Sequence, residues 1–439
     1  MKSELDYFNA DKGGVTRMEE HIYLCIDLKS FYASVECVER GLDPLTTNLA
    51  VADPERSEKT ICLAISPSMK ALGIKNRCRV FQIPKDVEYI MASPRMKLYI
   101  DYSAEIYGIY LKYISKEDIH VYSIDEAFLD VTNYLSMYHM SAKEMALRIM
   151  ADIKSTTGIT ATAGVGTNLY LAKVALDIMA KHAKDNIGYL TEELYQKALW
   201  KHQPLTDFWR IGKGIANRLN SVGIVDMGDI TRAKEDLLYR LFGIDAELLI
   251  DHAWGRETTT MTDIKAYSSK SSSMSSGQVL PRDYSFEECK LIVKEMADAL
   301  CLDMVDKSMV TGSMSLMIGY SNELGLKPAI GTASMTVTTN SYRTIIPYVI
   351  GLYERIVDKS KPIRRLSLSC NNVSDQTYEQ YDLFTDPIEM EKDRRIQKAA
   401  LEIKKKFGKN ALVRGMDLQE AGTTMERNRQ IGGHKSGEY

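Results

Sequence analysis

Residues 120–131 read HVYSIDEAFLDV, two short β-prone arms flanking a pair of neighbouring acids, Asp125 and Glu126. Val121 and Tyr122 on one side, and Phe128, Leu129 and Val131 on the other, are residue types that fill a pleated, buried surface. The arms therefore read as two strands of a buried sheet. Adjacent residues inside a strand point to opposite faces, so the two carboxylates can share a site only where the chain turns, at a hairpin tip. Two acids held together there repel each other unless a cation lies between them, which makes a metal site the sharper reading. An exposed acidic turn is the plainer reading of such a pair taken alone.

The rest of the chain bears on that choice. Its 439 residues are too many for one ordinary core and suggest two to four domains. With 45% apolar and 26% charged residues, composition is that of a folded globular protein. There is no apolar run of transmembrane length, and the opening MKSELDYFNADKGG reads as a loose polar leader. Seven scattered cysteines without a CxxC pair read as small core residues of a reducing compartment, and seven histidines without an HExxH pattern argue against a zinc hydrolase. A net charge of −3 excludes a uniformly basic nucleic-acid binder but leaves local basic surfaces open.

In chain order, HIYLCID (21–27) is a strand apolar on both faces that ends in Asp27. That acid either caps the following helix or serves a site. The helix begins at Lys29-Ser30-Phe31-Tyr32, runs to Glu39 or Arg40 and stops at Gly41. Strands are expected at 48–52 and 60–65, then a helix opening on Ser66-Pro67 and closing at Gly73. Lys70 lies in its first turns, where a cation opposes the helix dipole, a hint that it holds a phosphate. Arg77 and Arg79 form a small basic patch nearby. A long helix (94–115) leads into the acidic hairpin. Beyond it, a helix (141–158) and a strand (160–165) lead to GVGTNLYLAKVA, a Gly-x-Gly turn opening a helix that carries Lys173, weak evidence of phosphate binding by itself.

Short helices fill 186–260, and WRIGKGIANRL (209–219) has the helix-hairpin-helix pattern, with Gly212, Lys213, Gly214 and Arg218 placed to meet a DNA phosphate without reading sequence. A serine-rich linker (261–272) opens a new domain. Its strands (267–275, 310–320, 332–338, 363–370) and helices (285–304, 341–358) predict a β-α-β-β-α-β sheet with two helices on one face. Val310, Met314, Leu316 and Ile318 form one side of a strand, with Thr311, Ser313 and Ser315 on the other. The open face is rich in hydroxyls and carries Arg365, which suits a phosphodiester chain. The tail begins YEQYDLF (378–384), whose Leu-Phe pair asks for a docking partner. A helix (388–407) and a polar terminus with Arg427, Arg429 and His434, expected to be mobile, complete the chain.

HIYLCIDLKSFYASVE, AISPSMKALGI, YSIDEAFLDVT, GVGTNLYLAKVA and WRIGKGIANRL stand in the order and at about the spacing found in the Y-family translesion DNA polymerases, and the chain most resembles the UmuC branch. The resemblance covers residues 20–385. It implies an α+β multidomain right-hand fold: palm (20–30 and 88–185), fingers (31–87), thumb (186–260) and a separate little-finger domain (273–375), between a leader (1–19) and a tail (376–439). Carried over residue by residue, Asp27, Asp125 and Glu126 match the carboxylates that hold two Mg²⁺ ions, and the carbonyl of Leu28 the backbone ligand. Tyr32 matches the aromatic gate against a 2′-hydroxyl, beside Phe31 at a helix N-terminus that would meet the triphosphate. Lys70 and Lys173 match contacts to the β- and γ-phosphates.

Gln380, Leu383 and Phe384 match the anchors of a sliding-clamp-binding pentapeptide, and the branch implies an accessory subunit or recombinase filament as partner. Pro67 departs from the family, where many members place a tyrosine against the triphosphate. The expected activity is cytoplasmic, template-directed extension of primer–template DNA with dNTPs in SOS-like damage tolerance, without proofreading. Fidelity is expected to be low because the fingers are too short to close tightly on a base pair. The rivals are a nucleotidyl cyclase on the same palm and a non-catalytic protein that binds damaged DNA or a clamp.

Overall fold

The computed structural model describes residues 21–269, 272–377 and 386–437. They divide into two compact units that meet in sequence at Tyr267/Ser268.

The first unit is built on β1 (Tyr23–Leu28), whose residues are almost all inaccessible. Helix α1 (Phe31–Val38) follows, ending one residue short of the expected end at Glu39 or Arg40, with Gly41 in the left-handed region. Next come β2 (Leu49–Val51), β3 (Ala64–Ile65), α2 (Pro67–Ala71) and β4 (Ile90–Ala92). Strand β2 pairs antiparallel with β3 and parallel with β4. The small sheet therefore extends past residue 87, the expected end of the fingers. A parallel partner 41 residues away leaves no local pattern in the sequence.

Helix α3 (Met96–Tyr110) leads to β5 (Ile119–Val121) and β6 (Glu126–Asp130), then α4 (Thr132–Tyr138), α5 (Ala142–Thr157), β7 (Ala161–Gly166), α6 (Leu169–Val174) and β8 (Ile187–Leu190). Local chemistry sets the ends of α5: Ser141 and Glu144 form a capping box and Gly158 closes the helix in the left-handed region. The strand order is β5-β6-β1-β7-β8, with every pair antiparallel except β7/β8.

Helices α7 (Glu192–Leu199), α8 (Lys213–Asn220), α9 (Met227–Arg232), α10 (Glu235–Phe242) and α11 (Asp245–Trp254) share a core around Tyr195, Phe208, Leu219 and Met227. Helix α12 (Met261–Ala266) occupies half of the expected linker. Met261 is buried with Tyr23, Cys25 and Phe128, and Thr260 and Asp263 form its capping box. One apolar anchor and a cap hold this short helix beside the serines that follow it, too few contacts to leave a period in the sequence.

The second unit contains β9 (Met274–Tyr284), α13 (Phe286–Asp306), β10 (Met309–Tyr320), β11 (Ala329–Thr339), α14 (Tyr342–Ile356), β12 (Ile363–Asn371) and the short β13 (Ser374–Asp375). The antiparallel order β11-β10-β12-β9 is the expected four-stranded sheet. Its first strand starts at residue 274 rather than 267. Met314, Leu316, Ile318, Leu366 and Leu368 are buried beneath the two helices, and Ser315, Thr332 and Asn371 bond to one another on the open face. Thr311 leaves that face: a bulge between Thr311 and Ser313 turns it inward, where its hydroxyl donates to the Asn371 carbonyl at 2.7 Å.

The tail helix α15 (Pro387–Phe407) is the helix expected at 388–407, whereas the polar terminus after it, expected to be mobile, forms α16 (Thr424–Arg427) and the hairpin β14 (Gln430–Ile431)/β15 (His434–Lys435) on this unit. Arg414 pairs with Asp298 and lies over the Tyr342 ring, Thr423 N–H donates to buried Glu295, and Arg427 donates to Ser276. Such isolated polar anchors have no periodicity from which sequence could predict them.

Candidate active site

The acidic pair lies at the β5/β6 hairpin tip as expected, and strand register brings Asp27 to it. Asp27 lies directly opposite Glu126 in the β1/β6 pair and opposite Thr162 in the β1/β7 pair, so the three side chains share one face of the sheet. Glu126 is the first residue of β6 and buried, whereas Asp125 is the last residue of the turn. Adjacent in sequence, the two acids remain close because the turn rotates the chain between them. The Asp125 carbonyl accepts from Leu28 N–H at 2.9 Å, and its carboxylate accepts from Ser123 Oγ at 2.7 Å. Asp27 caps no helix: the residue before α1 is Ser30, in the left-handed region and without a capping bond.

The electrostatics record an uncompensated cluster. Burial first, then the charges of Asp125 and Glu126, raise the Asp27 carboxyl from an ordinary 3.8 to about 7, with Lys173 and Lys181 opposing the shift. Lys70, exposed on α2, faces the same acids. Crowding by protein atoms lowers its pKa, and Asp27 and Asp125 work in the other direction.

Lys173 is not presented to solvent. It is 7% exposed, and its ammonium reaches Glu126 Oε2 at 2.8 Å and Asp177 at 3.0 Å, while Cys25 Sγ donates to Glu126 Oε1 at 3.3 Å. Burial alone would lower its pKa, but the charges of Cys25, Asp177 and Glu126 raise it. Three glycines put it there. A Cβ on Gly164 would lie 2.1 Å from the Ala172 carbonyl oxygen, one on Gly166 2.1 Å from Ala172 N, and one on Gly188 2.2 Å from the Ala175 carbonyl oxygen. The Gly-x-Gly pair therefore lies inside β7 and lets α6 close onto the sheet, a packing role in place of the expected phosphate turn. Lys173→Met leaves Glu126 and Asp177 without their buried cation. It is expected to cost about 3 kcal/mol in urea unfolding, and an unchanged midpoint would contradict the pairing.

Tyr32 is half-buried, its ring stacked on that of Tyr99 at 4.5 Å and 18°. Phe31 is 2% exposed, so only its backbone N–H is available to a ligand. The α1 N-terminus has no side-chain cap, and Ser30 Oγ beside it is buried without a partner. Pro67 is the first residue of α2, behind the Ser66 cap, a position that suits proline whatever contact it replaces.

Elsewhere the expected residues divide. Gly212, Lys213 and Gly214 are exposed, with open space around both glycines. The segment before them, however, is a single 3₁₀ turn (Leu205–Asp207), and the left-handed residue is Arg210, stacked over Trp209. Arg218 donates to the Leu241 carbonyl and lies over Phe242. Arg365 is exposed on the open sheet face and lies across Gly319, where any Cβ would collide with it. Gln380, Leu383 and Phe384 lie outside the described residues.

Among the described residues, no three His, Cys, Asp or Glu side chains converge on one point as they stand, and Glu126 is paired with Lys173. The donor set nonetheless suits a hard cation. It is all oxygen, and the burial and mutual repulsion that together lift Asp27 are what a bound divalent ion would offset. No described helix is long and apolar enough to cross a membrane.

Residues 26–177 match the model of the impB/mucB/samB family, and residues 271–383 that of its C-terminal domain. A Bacillus subtilis protein named "Putative UV-damage repair protein UvrX" is 33% identical over 420 residues, covering 94% of this chain and 97% of that protein. "DNA polymerase IV 2" of the same organism is 30% identical over 423 residues, covering 95% and 99%. The fold is also that of a solved "Y-family DNA polymerase chimera Dbh-Dpo4(243-245)-Dbh", with a TM-score of 0.64 and 22% identity over 81% of this chain and 99% of that one. The chain belongs to the impB/mucB/samB family and is a DNA-directed DNA polymerase with the fold of the solved Y-family polymerases.

Proposed function

We propose that this chain extends primers past damaged bases by two-metal nucleotidyl transfer, with Asp27, Asp125, Glu126 and the Leu28 carbonyl as ligands of two Mg²⁺ ions. The observation that carries the reading is the register that sets Asp27 opposite Glu126, with Asp125 tied to Leu28. Bound Mg²⁺ would supply charge stabilisation at the attacking 3′-oxygen and at the leaving pyrophosphate. The chain's own groups bind and orient. Lys70 and the uncapped α1 amides offer positive charge and N–H donors to a triphosphate, and the Tyr32 ring offers a wall to the sugar. Glu126 would be available to a metal only on leaving Lys173, whose ammonium, still paired with Asp177, would then be the cation offered to the β- and γ-phosphates. Lys213, with Gly212 and Gly214, and Arg365 would meet the DNA backbone.

The motif QYDLF supports a sliding clamp as partner through Gln380, Leu383 and Phe384. An accessory subunit or recombinase filament, SOS-like induction and cytoplasmic action belong to the same proposal. The test is Mg²⁺-dependent extension on undamaged and abasic templates, with and without clamp. DNA binding without incorporation, even with clamp and accessory proteins present, would establish a non-catalytic binder instead.

A pH dependence follows from Asp27. Between its unfolded value near 3.8 and its folded value of about 7, the native state holds a proton that the unfolded chain has released. Without divalent cation, raising pH through that window therefore removes stability. Asp27→Asn should flatten this slope in melting curves recorded with EDTA, and saturating Mg²⁺ should do so in the wild type. Equal slopes for wild type and variant in EDTA would refute the assignment.

A further inference from the structure

We infer that Glu36 is a positioning residue for sugar selection, acting through Tyr99 on the ring of Tyr32; this rests on the reading of Tyr32 as the gate against a 2′-hydroxyl. Glu36 lies one turn after Tyr32 on α1, so the two share a helix face. Its carboxylate is wholly inaccessible, an expensive place for a charge unless it is fully bonded. It is fully bonded. Arg95 donates through Nε to Oε1 and through Nη2 to Oε2, both at 2.9 Å, Arg40 donates to Oε2, and Tyr99 OH donates to Oε1 at 2.8 Å. Burial alone would raise the Glu36 pKa, and these bonds from Arg95, Arg40 and Tyr99 hold it below the usual range.

The consequence falls on the gate. Tyr99, on α3, is itself inaccessible, and its ring is the platform on which Tyr32 stacks. The Tyr99 hydroxyl donates to Glu36 and also meets the Arg95 backbone, and the bond to Glu36 ties the placement of the platform under the gate ring to the Glu36 carboxylate. A gate that discriminates by contact with one hydroxyl group needs its ring placed to a fraction of an ångström, since misplacements near 1 Å cost orders of magnitude in rate. Nothing else in the mechanism uses a buried charge at this position. Two arginines and a tyrosine converging on one inaccessible acid do more than tie α1 to α3, for which an apolar contact would serve.

The experiment measures kcat/KM for a matched dNTP and for the corresponding rNTP, using the full chain on primer–template DNA. Four forms are compared: wild type, Tyr32→Ala, Tyr99→Phe and Glu36→Gln. Tyr32→Ala should lower the dNTP-over-rNTP ratio by about 100-fold. Tyr99→Phe keeps the ring and packing and removes only the tether; it and Glu36→Gln should each lower the ratio by roughly 5- to 10-fold, with kcat for dNTP nearly unchanged. Should Glu36→Gln fail to fold, Tyr99→Phe carries the test alone. If Tyr32→Ala relaxes selection while the other variants keep the wild-type ratio, or lose dNTP and rNTP activity in parallel, Glu36 is only structural and the inference is overturned. An unchanged ratio in Tyr32→Ala overturns the gate reading, and the inference with it.

Discussion

Asp125→Ala is expected to slow single-turnover nucleotide addition by about 10³-fold while leaving primer–template binding intact. Of the three acids, this one separates chemistry from folding most cleanly. Its carboxylate accepts only a hydrogen bond from Ser123, and its structural bond, to Leu28 N–H, uses a backbone carbonyl that alanine retains. Glu126 is a poorer probe, because its removal also strands Lys173. Removing the Asp125 charge relieves Asp27, so the melting temperature in EDTA should hold or rise. Rapid-quench kinetics alongside equilibrium DNA binding would check this. Wild-type incorporation rates in the variant would end the two-metal assignment for Asp125.

Gly166→Val is expected to destabilise the first unit by about 4–5 kcal/mol, among the largest effects a single substitution can have. Its Cβ would lie 2.1 Å from Ala172 N and 2.6 Å from the Leu171 carbonyl carbon. Both are backbone atoms, which cannot rotate out of the way as a side chain can. Helix α6 must therefore lift from β7, which also draws Lys173 away from Glu126. Urea denaturation would show the lowered midpoint. A midpoint within about 1 kcal/mol of wild type would mean that the close approach of helix and sheet is not required.

Much of this protein was legible before any coordinates. The helix expected at 141–158 is α5, bounded by Ser141 and Gly158, and Ser66-Pro67 marked the start of α2, because caps and turn residues act within one helical turn. The alternation of Met314, Leu316 and Ile318 with serines identified the buried face of β10. The readings that missed depend on longer range. The bulge that buries Thr311, the anchor beneath α12 and the polar ties that order the tail each involve one or two contacts without a repeat. Such contacts leave no period in the sequence.

The carboxylates show where the division lies. The strand ending in Asp27, the acidic turn at Asp125-Glu126 and the basic positions Lys70 and Lys173 are local features, and the sequence alone determined that they exist. Only the tertiary structure decided how they are used. It set Asp27 opposite Glu126 across 98 intervening residues, paired Glu126 with Lys173 and placed Tyr99 beneath Tyr32. Hydrophobic period assigns a side chain to a face of its own strand. Which residues face each other across strands or helices is chosen by register and by how closely backbones approach, and here three glycines and one buried glutamate make that choice.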